Sequence, residues 1–414
     1  MIRVLKFGGA SIKDSNLIEN VFSILERYKN QKIIIVFSAI ANITNLLEDL
    51  VDLYIEGHDK KEKKFVEIQQ IHLDIIDKLF SSDNFIYEKV KNVFDEIHLI
   101  LNKEPNSSYS FNYDQIVSKG ELLSSIILSH YLNLRNFNNN LVDARDFIKT
   151  DSKYQNAKVD WVITKKKIKQ KIVDFPVITQ GFIGSDSSNY STTLGREGSD
   201  FTAAIIANAL DVNEVIIWKD VNGVLNADPR YFDAPILLKH ISFSEAIEFA
   251  FYGAKVIHPK TIQPLQEKNI PLIVRSFINC DNPGTIIDNT EAEENIPSYI
   301  IKEDQVLISI SDNNLSFIVE EHLSWIFSVL SRYDINLNLM QNSAVSFSIC
   351  IDNKKHQVSS LIEHLSNKFT VLYNDNVILY TIRHYNLQAI ERIIKNKKIL
   401  LEQKSRNTVQ FVVT

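Results

Sequence analysis

Along the first two-thirds of the chain, short apolar runs alternate with longer stretches whose apolar positions recur every three or four residues. The runs read as strands at Ile2–Phe7, Lys32–Ser38, Pro176–Gln180, Glu214–Trp218 and Pro271–Ser276. The longer stretches read as helices, among them Asn16–Tyr28, Asp114–Asn133 and Asp200–Leu210. Ile33, Ile34, Ile35, Val36 and Phe37 are apolar without alternation, as in a strand covered on both faces. The pattern predicts an α/β fold with a mainly parallel sheet sandwiched by helices. The stretch from about Leu50 to Lys103 is helical in period and rich in charge, and reads as an insertion beside the sheet.

The texture changes at Asn289–Pro297, an acidic, weakly apolar segment that predicts a linker between a domain at 1–290 and a second region at 298–414. Beyond it, Leu315–Val319 reads as a strand, and Leu323, Ile326, Phe327 and Leu330 share one helical face. Ile335, Leu337, Leu339 and then Val345, Phe347, Ile349, Ile351 alternate as two half-buried strands. A helical spacing at Val358, Leu361, Ile362, Leu365 and a strand at Thr370–Tyr373 complete a βαββαβ order. A shorter run follows, with strands at Val377–Ile382, Lys398–Glu402 and Val409–Val413 around a helix at Leu387–Ile394. The region is predicted to be one full α+β unit and a truncated second one.

Composition narrows the function classes. At 414 residues, 45% hydrophobic and 23% charged, the chain has material for two or three domains with real cores. A formal charge of −6 gives no drive toward nucleic acid or anionic lipid. The lysine runs at 60–64 and 165–167 sit among acidic or polar residues and read as solvated faces. Cys280 and Cys350 are too few and too far apart for a disulfide framework or a zinc site. The opening MIRVLKFGG lacks a signal-peptide pattern, and no apolar run approaches the ~20 residues of a membrane span. A cytoplasmic protein without membrane contact is the expectation.

Four segments carry candidate chemistry. Lys6-Phe7-Gly8-Gly9-Ala10-Ser11 leaves a strand through adjacent glycines, which lets backbone N–H groups approach an anion beside a lysine; a ligand-free tight turn fits the same residues. Thr192–Asp200 (TTLGREGSD) opens an apolar helix, where Asp200 is either a functional carboxylate or an N-cap. Arg196, flanked by glycines, suits bidentate capture of a carboxylate. Trp218–Arg230 (WKDVNGVLNADPR) leaves another strand with two turn signals, Asn-Gly and Asp-Pro, and offers Asp220 and Arg230 either to a nucleotide or to an ordinary loop. In Gly253–Pro259 (GAKVIHP), Lys255 lies by a helix end, and His258 before proline reads as a packed structural histidine. There is no G-x-x-x-x-G-K-[ST] loop, G-x-G-x-x-G fingerprint, H-E-x-x-H or G-x-S-x-G elbow.

In order and spacing these four segments resemble the aspartate kinases of the amino acid kinase superfamily, and the region after the linker looks like the ACT-type modules such kinases carry. The resemblance implies ATP-dependent phosphorylation of the L-aspartate side-chain carboxylate, with ATP and Mg²⁺ as cofactors and the metal held through the phosphates rather than by protein ligands. It implies that Lys6, Gly8 and Gly9 face the phosphates, with Lys6 and Asp200 catalytic. Asp220, Arg230 and Lys255 would line the nucleotide site. Ser38, Thr44, Glu121 and Arg196 would hold aspartate. A homodimer or larger assembly and a lysine or threonine effector are also implied. The sequence departs from the family's pattern at Lys219 (usually Thr or Ser), Leu225 (usually Tyr) and Asn42 (usually Gly), and Ala344 stands where lysine-binding relatives often have an acidic residue. Kinases of glutamate, acetylglutamate, carbamate or UMP, and a non-catalytic amino-acid sensor, are the competing readings. A fused dehydrogenase is not expected from the length.

Overall fold

The computed structural model describes residues 1–254, 257–291, 295–313 and 317–414 and divides into two compact units. The first is built from residues 1–224, 237–247 and 257–291, and the second from 225–236, 248–254, 295–313 and 317–414.

Ten strands precede residue 290: β1 (Ile2–Phe7), β2 (Lys32–Phe37), β3 (Asn140–Leu141), β4 (Val177–Gln180), β5 (Ile183–Ser185), β6 (Ser191–Thr193), β7 (Glu214–Lys219), β8 (His240–Ser242), β9 (Leu272–Ser276) and β10 (Thr285–Asp288). Helices in the same stretch are α1 (Ser15–Glu26), α2 (Ile43–Ile55), α3 (Lys60–Leu79), α4 (Ile86–Leu101), α5 (Tyr109–Val117), α6 (Lys119–Leu134), α7 (Ala144–Phe147), α8 (Trp161–Lys171), α9 (Gly198–Leu210), α10 (Phe243–Tyr252) and α11 (Pro259–Glu267). Eight strands form one sheet in the order β3-β4-β2-β1-β7-β9-β10-β8. Neighbours from β3 to β9 are parallel, and β10 runs antiparallel to β9. Val4, Leu5 and Phe7 of β1 and Ile33–Phe37 of β2 are fully buried, so helices cover both faces, as the unbroken apolar run of β2 requires. Asp14 starts α1 by accepting from the Leu17 N–H at 3.0 Å.

One expectation is extended here and one is corrected. The charged helical stretch lies beside the sheet and also fills its core: Phe65, Ile68, Ile76, Val90, Phe94 and Ile97 of α3 and α4 are buried with Leu5, Ile35 and Leu128. Its lysines and glutamates occupy outer faces, which hid an apolar stripe wide enough to close the core. The predicted helix Asp114–Asn133 is two helices, broken at Ser118, which ends α5 and starts α6. The break aims the first turn of α6 at the loop after β2, where Glu121 accepts from the Ala39 N–H.

The second unit holds β11 (Ser298–Asp312), α12 (Glu320–Arg332), β12 (Leu337–Asn342), β13 (Ser346–Asp352), α13 (Lys355–Ser366), β14 (Phe369–Arg383), α14 (Leu387–Ile394), β15 (Ile399–Lys404) and β16 (Thr408–Val413). Its six strands form an antiparallel sheet in the order β12-β13-β11-β14-β16-β15. The first strand differs from the predicted Leu315–Val319, of which Leu315 and Ser316 lie outside the described residues and Phe317–Val319 is not a strand. The strand is β11, whose alternation is interrupted by Glu303 and Asp304; Asp304 sits at φ 50° and the pairing shifts register around Gln305. Likewise the two strands read at Thr370–Tyr373 and Val377–Ile382 are one, β14, carried through a polar middle where Asn376 has φ 53°. The predicted linker Asn289–Pro297 falls partly outside the described residues.

In this unit α12 and α13 pack on Val306, Ile308, Ile310, Phe347 and Ile349. Ala389 and Ile393 of α14 share a second core with Ile382, Val409, Phe411 and Val413. The segment Leu225–Ile236 joins that core through Ala227 and Phe232, the Phe232 ring stacking on Tyr299 at 4.9 Å. Among the described residues no helix is long and apolar enough to cross a membrane.

Candidate active site

From β1 the chain builds outward through β2 and β4 on one side, then returns to the other side of β1 at β7. The strand order therefore reverses between β1 and β7, and in such sheets the crevice beyond the carboxyl ends at that point is the natural ligand site. Lys6 lies near the end of β1 and Lys219 ends β7. Lys6 pairs in register with Ile217, and side chains alternate along a strand, so Lys219 projects to the same face of the sheet.

On that face α9 presents Asp200 in its first turn. The Lys6 Nζ stands 2.6 Å from one carboxylate oxygen of Asp200 and the Lys219 Nζ 3.7 Å from the other. Burial pushes the Asp200 pKa up, but the charges of Lys6 and Lys219 outweigh it and hold the carboxyl below the usual range. Asp200 is an ionised group in the first turn of a helix, where the macrodipole favours negative charge.

Close backbone approaches draw the surrounding loops together. A Cβ on Gly9 would stand 2.6 Å from the Ala39 carbonyl oxygen, so the turn after β1 touches the loop after β2. A Cβ on Gly8 would instead lie 3.5 Å from the Lys6 Nζ, so this turn presents its backbone beside the ammonium. Beyond β4, a Cβ on Gly181 would overlap Ser199, while the Gly181 N–H donates to the Phe37 carbonyl at 2.8 Å. The start of α9 is thereby seated at the ends of β2 and β4.

After β2, Ser38 is half-buried and its N–H donates to the Phe7 carbonyl at 3.2 Å. Asn42 begins α2 at φ 65°, and Thr44 lies half-buried in the first turn. The left-handed backbone explains the departure at Asn42: glycine is unstrained there, and asparagine is among the side chains that tolerate it. Glu121 is 2% exposed. One of its oxygens accepts from the Ala39 N–H at 3.3 Å, and the other has no hydrogen-bond partner among the described residues. Burial pushes its pKa up to about 8, against the pull of the Ala39 N–H and the Lys6 charge.

Thus Lys6, Gly8, Gly9, Ser38, Thr44, Glu121 and Asp200 gather on connected loops and turns at the carboxyl ends of β1 and β2 and at the start of α9. Arg196 is exposed on the loop entering α9. Asp220 is exposed just past β7. Arg230 belongs to the second unit, where its guanidinium turns back on Asp228 at 2.6 Å. Lys255 lies outside the described residues. His258 is structural, as expected: its ring nitrogen accepts from the Lys260 N–H at 3.2 Å and caps α11.

Sequence reasoning missed Lys219 as a member of the cluster, although its place two residues beyond Ile217 was readable once β7 and β1 were known to pair. It also missed Glu197, which enters α9 at φ 52° and accepts from the His258 N–H at 3.0 Å. Chemically, the arrangement offers two ammonium groups to a polyanion. Nearby, Glu121 is a buried carboxyl suited to a cationic partner such as an ammonium.

Residues 1–276 match the amino acid kinase family. The chain is 32% identical to the lysine-sensitive aspartokinase 3 of Escherichia coli over 85% of its own length and 78% of that protein's. It is 27% identical to the chloroplastic aspartokinase 3 of Arabidopsis thaliana over 97% of its length and 73% of the relative's. Against the bifunctional aspartokinase/homoserine dehydrogenase of Buchnera aphidicola it spans 48% of the longer protein at 28% identity. In three dimensions it is similar to E. coli aspartokinase III in complex with aspartate and ADP, with a TM-score of 0.84 at 28% identity over 100% of this chain and 96% of the other. The lysine and aspartate complex of the same enzyme, described as its T-state, superimposes with the same score.

Proposed function

This chain belongs to the amino acid kinase family, among its aspartokinases, and from that premise we propose that it moves the γ-phosphoryl group of ATP onto the side-chain carboxylate of L-aspartate. The observation that carries the reading is the Lys6–Asp200–Lys219 cluster at the strand-order reversal, with the buried carboxyl of Glu121 across the same set of loops.

The acceptor is itself an anion, since a free aspartate side chain titrates near ~3.9, so no base is required to activate it. The obstacle is the meeting of a carboxylate with a triphosphate, and catalysis reduces to positioning and charge compensation. Mg²⁺ would be held by ATP phosphate oxygens and water rather than by protein ligands, and would supply charge neutralisation on the triphosphate. Lys6 lies where it can face the transferring phosphoryl group, and Asp200 fixes its ammonium. Gly8 and Gly9 offer backbone N–H groups to the phosphates. Glu121 is assigned to the aspartate ammonium, Ser38 and Thr44 to the same substrate, and Arg196 to a substrate carboxylate. Asp220, Arg230 and Lys255 are assigned to the nucleotide.

Residues 298–414, which make up most of the second unit, we read as an ACT-type regulatory region of one full and one truncated unit. The E. coli relative is lysine-sensitive by name, and one of its structures holds lysine. Lysine is therefore the first effector to test here, with threonine second, in a chain expected to assemble as a homodimer or larger.

The test is purified protein with ATP, Mg²⁺ and aspartate in the presence of hydroxylamine, which traps an acyl phosphate as the hydroxamate. Glutamate and N-acetylglutamate run in parallel. Hydroxamate from aspartate alone is the expected result; none from aspartate, or more from another acceptor, sinks the proposal.

A further inference from the structure

Among the described residues two lysines, rather than the one singled out by motif, converge on the buried carboxylate. Because β1 and β7 are parallel neighbours with Lys6 opposite Ile217, Lys219 shares the face of Lys6 and stands nearer the carboxyl edge. Each ammonium takes its own oxygen of Asp200, at 2.6 and 3.7 Å. Side-chain exposure rises outward, from 3% for Asp200 through 10% for Lys6 to 22% for Lys219.

With Lys6 and Lys219 charged and Asp200 ionised, the cluster carries a net positive charge. Among the described residues, the cluster without the charge of Lys219 would sum to zero, and a buried Lys6 paired one-to-one with Asp200 would be held by it at low dielectric. We propose that Lys219 is a positioning residue for phosphoryl transfer: it engages one oxygen of Asp200, so that the carboxylate is compensated from both sides and the charge of Lys6 stays available to the triphosphate. Asp200 then acts as a bridge that keeps two like charges within one small site. The inference rests on the kinase reading above and deepens it by naming a residue outside the four motifs' assigned roles.

The experiment compares full-length wild type with Lys219→Met and Lys219→Arg. It reads steady-state kinetics, direct ATP binding at low and high salt, and melting temperature. Lys219→Met is expected to lower kcat by about tenfold or more, as for removal of a preorganised charge at a transferring group. Its KM for aspartate should stay near the wild-type value. Its ATP affinity should also respond less to salt, because the site has lost a unit of charge. Lys219→Arg, which keeps the charge, should recover most of kcat. Lys219→Thr is a second neutral variant should the methionine protein fold poorly. A folded neutral variant with wild-type kcat and wild-type salt dependence overturns the proposal, as does a loss that follows melting temperature and is not repaired by arginine. Hydroxamate formation by the wild type tests the kinase reading separately, since ATP binding needs no acceptor.

Discussion

Glu121 is the residue whose protonation this site leaves most delicately poised. It is buried with one oxygen unpartnered, and its folded pKa is raised to about 8 from the model-peptide value of 4.5. The native state therefore binds a proton that the unfolded chain has already released. Its contribution to stability is full below about pH 4.5 and is lost progressively as pH rises through about 8. Glu121→Gln should flatten that part of the stability curve, seen as melting temperatures that change less between pH 5 and 8 than in the wild type, while aspartate saturation is lost. A variant with the wild-type pH profile would refute the assignment. At Lys6, Lys6→Ala should lower kcat by about 10²-fold or more with a smaller change in KM for aspartate, whereas Arg196→Ala should raise that KM by roughly tenfold or more. Initial-rate kinetics separate the two: near-normal turnover without Lys6, or unchanged saturation without Arg196, would remove the corresponding role.

At the scale of elements, the site depends on how closely turns and helix starts approach one another. Gly9 meets the backbone of Ala39 and Ala41, neither of which can rotate away. Gly9→Ala is expected to cost about 1–3 kcal/mol through overpacking and to reduce activity by displacing the Ser38–Asn42 loop. Denaturant melts and kinetics on the same sample check both. Much of this level was legible beforehand. β2 is an unbroken apolar run after Lys32, β1 is apolar except at Arg3 and Lys6, and α14 has a strongly one-sided stripe, so their limits were readable from pattern. The misses share a physical cause: a local feature broke the period while the element continued or turned. Asp304 and Asn376 bend long strands without ending them, Ser118 ends one helix and begins another, and charged outer faces hid how much of the core α3 and α4 supply. Of the site, glycine turns and the Asp200 helix start could be read from composition, but the approach of Lys219 to Asp200 depended on which strands are neighbours.

At the scale of the whole molecule, the division into units does not follow the motif boundaries. The loop that leaves β7 toward Arg230 passes at Leu225 into the second unit, where Asn226 accepts from the Tyr299 N–H at 2.7 Å and Phe232 packs in that unit's core. Arg392 caps the Phe232 ring at 5.1 Å. Phe232→Ala should destabilise the second unit by about 3–5 kcal/mol. Because the same loop carries Arg230, it should also raise KM for ATP. Urea melts and ATP saturation curves read these, and an unaltered KM in a destabilised protein would detach Arg230 from the nucleotide. For regulation, initial rates with and without millimolar lysine are expected to fall with lysine; rates indifferent to lysine and threonine would argue against an effector site.

The pairing of the two longest strands makes the C-terminal sheet a chassis with a removable cassette. Asp312 lies directly opposite Phe369, so everything from α12 through α13 departs and returns at adjacent points of one ladder. A tight Asn-Gly turn spliced between those ends could close β11 and β14 into a simple hairpin. Val306, Ile308 and Ile310, deprived of their helical cover, would then need polar replacements to keep the shortened protein from aggregating.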